Sequence, residues 1–364
     1  MLLSENKKIR KYLCLMLLIL ISLASCKKES PEPIQQYDED KGIFICNEGN
    51  FTYGNGSLTF YDPAEGSVSN QVFYNANNFP LGDVVQSMAI YDNKGYIVVN
   101  NSGKIMVINI DNFTHIYTIS NLTSPRYIEF ISSTKAYVTD LYSPYITIID
   151  PATYTITGNI YIGNGTEQIV KVGDNVYVTG WSHNNKVYKI NCNTDLLTDS
   201  ITVAKQPNSI VKDKHNRIWV LSDGGCQGTP YGQDTAALTC INTCPFEIEK
   251  KFRFPSMETS PSELLINLTE DTLFFINGSW GSGTGNQSGV CRMPVDAAEL
   301  PSEPLIPEGI RLFYGLGIDP ENSDIYVSDA IDYVQKGLVF RYTASGEKKD
   351  SIKVDIIPGA FCFK

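Results

Sequence analysis

The sequence predicts an all-β chain folded as a seven-bladed β-propeller with four-stranded blades, and three observations carry that expectation. From residue 42 onward no segment shows a sustained apolar stripe at helical spacing, while short runs rich in Val, Ile, Tyr and Thr recur between Gly, Asn, Asp and Pro clusters. One strand phrase recurs seven times at blade-like intervals. The last seven residues supply a strand that the first repeat lacks.

Taken in chain order, the first element is a targeting segment, residues 1–25. Lys7, Lys8, Arg10 and Lys11 form a basic start, and Tyr12 to Leu23 is an apolar run of 12 residues. That run is too short to cross a hydrocarbon core of roughly 30 Å as a helix. Leu23-Ala24-Ser25-Cys26 resembles the lipobox of bacterial lipoproteins, which implies acylation of Cys26 and a soluble domain held at a membrane without a spanning helix. Lys27-Lys28-Glu29 resembles, faintly, the surface-export signals of gut anaerobes. Residues 26–41, with Pro31, Pro33 and a polar run from Gln35, offer neither apolar period nor core residues and read as a flexible tether. The folded part is then 42–364.

Without residues 1–25 the chain carries 25 Lys and Arg against 39 Asp and Glu, a formal charge of −14. Such an acidic surface repels phosphate backbones and argues against a nucleic-acid partner. Seven cysteines remain after Cys14 and Cys26, an odd number that leaves at least one thiol free. Cys240 and Cys244 have half the spacing of a zinc site, but three histidines and no second such pair favour a disulfide or buried thiols.

The repeat begins with an aromatic, then β-branched residues, then Asn, Asp or Gly. Its copies are Phe44 to Asn47, Tyr96 to Asn100, Tyr137 to Asp140, Tyr177 to Gly180, Trp219 to Asp223, Phe274 to Asn277 and Tyr326 to Asp329. An apolar strand ending in a turn follows each, as in Ile149-Asp150-Pro151 and Ile190-Asn191-Cys192, with separations of 47, 41, 41, 51, 52 and 49 residues. That is the length of a four-stranded blade. A third strand opens each unit, as at Pro125, Pro207 and Pro261, but is missing before Gly42. Pro358 to Lys364 provides it, so the C-terminus is expected to complete the first sheet and leave no open edge. Cys46 and Cys362 then lie on neighbouring strands.

In such a blade the innermost strand begins, and the second strand ends, on one face of the disc. Gln86, Arg126, Gln168, Asn208, Glu263 and Tyr314 are therefore expected around the axis. Asn47, Glu48, Asn100, Asp140, Trp181, Asp223, Asn277 and Asp329 fall just outside them. The same loops carry rings outside the repeated pattern: Phe51, Tyr53, Tyr142, Tyr145, Tyr231, Trp280 and Tyr333, together with Trp181. Rings among amides and carboxylates would form a cup suited to a large ligand. They serve equally well as covers folded back over their own strand ends, and the sequence leaves both readings open. Two Gly-bearing insertions, Gly224 to Leu238 and Gly278 to Gly289, lie on the same rim, placed to close over a ligand.

Recognisable catalytic patterns are missing: no GxSxG, HExxH, phosphate loop or dinucleotide fingerprint occurs. His115, His183 and His215 fall in different blades, so a hydrolase triad is unsupported. The expectation is a binding protein that is not an enzyme and has no cofactor or resident metal. One catalytic alternative remains, a calcium-dependent lactonase with Glu48, Asn208, Asp223, Glu263 or Asp329 near an axial ion. Another is an adhesion or complex-forming scaffold.

The stretch from Ile149-Asp150-Pro151-Ala152-Thr153-Tyr154 through Thr155-Ile156-Thr157-Gly158-Asn159-Ile160 resembles the blade signature of YncE-like propellers. With the lipobox, the whole resembles surface propeller lipoproteins of Bacteroides-type bacteria, including the BtuG-type lipoproteins that capture cobalamin. The resemblance implies anchoring at the outer membrane facing the cell exterior, cobalamin as ligand, and an outer-membrane TonB-dependent transporter as partner. A corrin ring, with wide apolar faces and a fringe of amides, matches an aromatic cup lined with Asn, Gln and Asp.

Overall fold

The structure, a computed structural model, describes residues 41–278 and 288–364. The signal segment, Cys26 and the tether up to residue 40 lie outside the described residues.

Among the described residues the β-branched and aromatic runs form 28 strands, β1 to β28 in chain order, arranged as seven four-stranded antiparallel sheets. The architecture is the seven-bladed propeller expected. Each phrase that begins the repeat is the second strand of its blade, and all of its residues but Asn277 are buried between neighbouring sheets because rings and branched side chains fill the wedge between twisted blades. Tyr96, Tyr137, Tyr177, Trp219 and Tyr326 are among the largest completely buried side chains. They fill the core between blades. Among the described residues one short helix, α1 (Val72–Asn77), connects the first blade to the second and seats Phe73 against Phe79 and His115.

Ring closure follows the displaced-strand expectation. β28 (Pro358–Phe363) pairs antiparallel with β1 (Ile43–Asn47), setting Ile43 opposite Phe363 and Phe44 opposite Cys362. Its other side packs on β24 (Phe313–Ile318) and β4 (Val85–Tyr91), the innermost strands of the neighbouring blades. Two glycines allow this approach. A Cβ on Gly315 would lie 2.4 Å from the Gly359 carbonyl oxygen, and one on Gly317 would lie 2.8 Å from the Phe361 ring. Phe361 and Phe363 pack around Tyr326, with ring centroids 6.2 and 5.8 Å away.

All seven cysteines of the described residues are free thiols. Cys46 faces Ala360, not Cys362, in the β1–β28 register. Cys240 is a buried thiol in the core and Cys244 is exposed, so the expectation of a buried thiol holds for Cys240 and no disulfide joins the two.

Candidate functional site

The innermost strands begin on one face of the disc, and six of the seven carry a β-bulge at that start. The partner strand skips Gln86 in β4, Arg126 and Tyr127 in β8 (Pro125–Ser132), and Asn208 in β16 (Pro207–Lys212). It likewise skips Glu263 and Leu264 in β20 (Ser262–Ile266), Tyr314 and Gly315 in β24, and Gly359 in β28. A bulge frees a residue from the ladder and re-aims its side chain. Here Gln86, Arg126, Tyr127, Asn208, Glu263 and Tyr314 all line one cavity of about 1300 Å³ over the axis. Backbone strain accompanies it. Glu263 has φ 56°, and Val84 and Gln206, just before their innermost strands, have φ 59° and 52°. Left-handed geometry is costly for a β-branched residue such as Val84 and is concentrated at functional sites.

The floor of the cup is built around Arg126. Its Nε donates to both Glu167 carboxylate oxygens at 3.0 and 2.8 Å, its Nη2 to Glu167 at 2.6 Å, and its Nη1 to Gln86. Both charges are almost wholly buried, with side chains 13% and 4% exposed. Burial works against the Arg126 charge, but Glu167 more than offsets it and holds the guanidinium pKa above its ordinary value. The Arg126 guanidinium also lies 5.7 Å from the Trp181 ring.

Two further glutamates share that floor. Glu48 stands where Gly359 leaves space, since a Cβ there would meet its Oε1 at 2.7 Å, and it accepts a hydrogen bond from Tyr314 Oη at 3.0 Å. Burial pushes its pKa up to about 7, with the Tyr314 hydrogen bond acting in the opposite direction. Glu263 is raised to about 8 by burial and by repulsion from Glu48 and Glu167. On the wall, Asp223 accepts from Trp181 Nε1 at 3.1 Å and from the Gly225 N–H at 2.8 Å; burial still raises its pKa to about 6. Among the described residues no group of three or more His, Cys, Asp or Glu is placed to hold one metal ion.

Of the residues expected at the site, Glu48, Phe51, Gln86, Asn100, Arg126 and Trp181 line this cavity, as do Asn208, Asp223, Glu263, Tyr314 and Tyr333. Others lie elsewhere. Asn47 is buried and donates to Thr59 Oγ1 at 3.0 Å. Asp140 accepts backbone N–H groups of Thr123, Ser124, Tyr142 and Ser143, and Asp329 those of Leu312 and Ile331. These two acids cap turns. Gln168 accepts the Ile210 N–H at 3.0 Å, bridging blades, while the preceding Glu167 takes the axial position. Tyr231 stacks on His183 at 4.5 Å beside a separate pocket of about 240 Å³. Tyr53 and Tyr142 are 76% and 73% exposed, so neither folds back as a cover; Phe51, 66% exposed, stands at the cavity mouth. Trp280 and most of its insertion lie outside the described residues.

The sequence reading missed Tyr127, Glu167, Glu308 and Arg311, all in the cavity lining. Tyr127 and Glu167 directly adjoin residues that were singled out; counting bulged positions in pairs would have found Tyr127, whereas Glu167 precedes β12 (Ile169–Val172), which carries no bulge.

A sequence model described as a domain of unknown function, DUF5074, matches residues 41–363, nearly the whole described propeller. The chain belongs to the DUF5074 family. No curated protein sequence matches it. Solved structures similar to this DUF5074 protein include a quinonprotein alcohol dehydrogenase-like protein from Bacteroides thetaiotaomicron (TM-score 0.65, 13% identity, 89% of this chain and 78% of that one). Also similar are a periplasmic gluconolactonase from Pseudomonas aeruginosa (0.65, 10%, 89% and 98%) and a protein from Lactobacillus plantarum (0.63, 13%, 89% and 99%). At such identities the likeness is one of fold.

Proposed function

We propose that this DUF5074 protein is a non-catalytic receptor that takes a large ligand into the bulge-lined cup. The observation that carries the reading is convergence: five blades use a bulge, and several strained backbone positions accompany them, to aim polar and aromatic side chains into one space of about 1300 Å³, while the sixth bulge falls on Gly359. A propeller built for packing alone needs none of these devices, and a concave site with a few convergent polar groups is where ligands bind. The ligand that the sequence resemblance puts first is cobalamin. Its apolar ring faces suit Trp181, Phe51 and Tyr333, and its amides suit Asn208 and Gln86. On the same reading Cys26 anchors the propeller to the outer membrane, facing outward, and a TonB-dependent transporter receives the ligand. Equilibrium titration of residues 41–364 with cyanocobalamin tests the corrinoid version: saturable binding weakened by Trp181→Ala supports it, and no binding at micromolar protein removes it.

A further inference from the structure

The pocket of about 240 Å³ beside the Tyr231–His183 stack has a lining opposite in character to that of the cup. Glu48, Glu167, Asp223, Glu263 and Glu308 all line the cup. No Asp or Glu lines the smaller space, and its one fixed charge is Lys205. The Lys205 Nζ donates to the Tyr231 carbonyl oxygen and makes no ion pair among the described residues, so two of its three N–H donors are left over. The side-chain amides of Asn185 and Gln206 and the ring nitrogens of His183 have no hydrogen-bond partner among the described residues either. Four donor-bearing side chains from two loops thus meet around one space, with no acceptor of matching charge. The backbone keeps that space open. Gly232, at φ 63°, follows the tyrosine, and a Cβ there would stand 3.5 Å from Lys205 Nζ and cover the ammonium group.

An ammonium group among amides and an imidazole matches an oxyanion, whose several acceptor oxygens take several N–H donors at once. Gln206 also lines the cup, so the two spaces adjoin. A chain of formal charge −11 repels free anions at long range, which favours an anion delivered on a larger molecule held by contact. We propose that the pocket is an oxyanion subsite: Lys205, with Asn185, Gln206 and His183, receives a phosphate or carboxylate group carried by a ligand whose body occupies the cup. Only the link to that body rests on the reading of the cup; the oxyanion site does not.

The test is calorimetric titration at pH 7 and fixed ionic strength with 1-naphthyl phosphate, with 1-naphthol as its uncharged counterpart, and with inorganic phosphate. The aryl phosphate is expected to bind more tightly than naphthol by roughly tenfold or more, the scale of one charge-assisted hydrogen bond. Lys205→Gln, which keeps an N–H for the Tyr231 carbonyl, is expected to erase that preference and leave naphthol binding unchanged; Asn185→Ala is expected to remove part of it. Lys94→Gln, where the second strand of its blade starts on the opposite face, leaves the preference intact. Equal affinities, no binding of the aryl phosphate, or a preference surviving in Lys205→Gln overturns the site. Inorganic phosphate binding as tightly as the ester, and dependent on Lys205, overturns the link to the cup and leaves a site for the free ion. If the preference depends on Lys205 but Trp181→Ala changes neither aryl compound, the cup reading fails and the oxyanion site stands; if Trp181→Ala weakens both while no preference exists, only the oxyanion site fails.

Discussion

Removing Pro358 to Lys364 deletes the innermost strand of the first blade and uncovers β1, whose five residues are all buried. Phe361 and Phe363 leave the cluster around Tyr326, Ile43, Ile45 and Val354. Both rings are only partly buried, which sets each at the lower end of the Phe-to-Ala range, about 3 kcal/mol. The two together already reach the lower edge of the ~5–15 kcal/mol that holds a typical domain folded. Lost ladder bonds and an open β1 edge add to that, so the truncated chain is expected to be unfolded or to associate through the edge. Phe361→Ala is the graded version. At about 3 kcal/mol, and about 2 °C per kcal/mol for a domain of this size, its Tm falls by about 6 °C. Near-ultraviolet circular dichroism during heating, with size-exclusion chromatography of the truncation, reads both. A monomeric truncated protein with an unchanged Tm refutes ring closure by the tail.

Arg126→Ala strands Glu167 as a buried, unpaired charge and is expected to cost about 3–5 kcal/mol by chemical denaturation; adding Glu167→Gln recovers part of it, whereas strict additivity would contradict the pairing. Glu48 and Glu263 have folded pKa values of about 7 and about 8, above the ordinary glutamate value. Their protonated forms are favoured by folding, so the contribution is fully present near pH 4 and is lost as pH rises through about 7 to 8. Stability measured across that window should decline, and Glu263→Gln should flatten the decline; a profile identical to wild type counts against the buried floor. Cys226 and Cys244 are exposed while Cys46, Cys192, Cys240 and Cys291 are buried, so a thiol reagent should modify two cysteines rapidly in the native protein and the buried four only on unfolding.

The blades were legible because their cores repeat: Tyr96, Tyr137, Tyr177 and Trp219 solve the same packing problem with the same residue class at the same place in each unit. The closing strand was legible as a repeat element out of place. Helix α1, at six residues, is too short to show a period. The site was legible to within a residue along the chain. The innermost strand of the blade that bears Gln168 carries no bulge, and a one-residue difference in where it begins leaves composition unchanged, so Gln168 was expected on the axis where Glu167 stands. Asp140 and Asp329 carry the same residue type at a loop start whether they meet a ligand or cap their own turn. Only their backbone N–H partners distinguish the two roles.

The central claim is that the bulge-aimed side chains form a binding cup, and a ligand-screening thermal shift on residues 41–364, repeated with Trp181→Ala and Glu263→Gln, tests it most directly. The account predicts that a ligand raising the wild-type Tm loses most of that effect in both variants, since the two side chains stand on the wall and floor of one cavity. A ligand that stabilises all three proteins equally binds elsewhere and contradicts it.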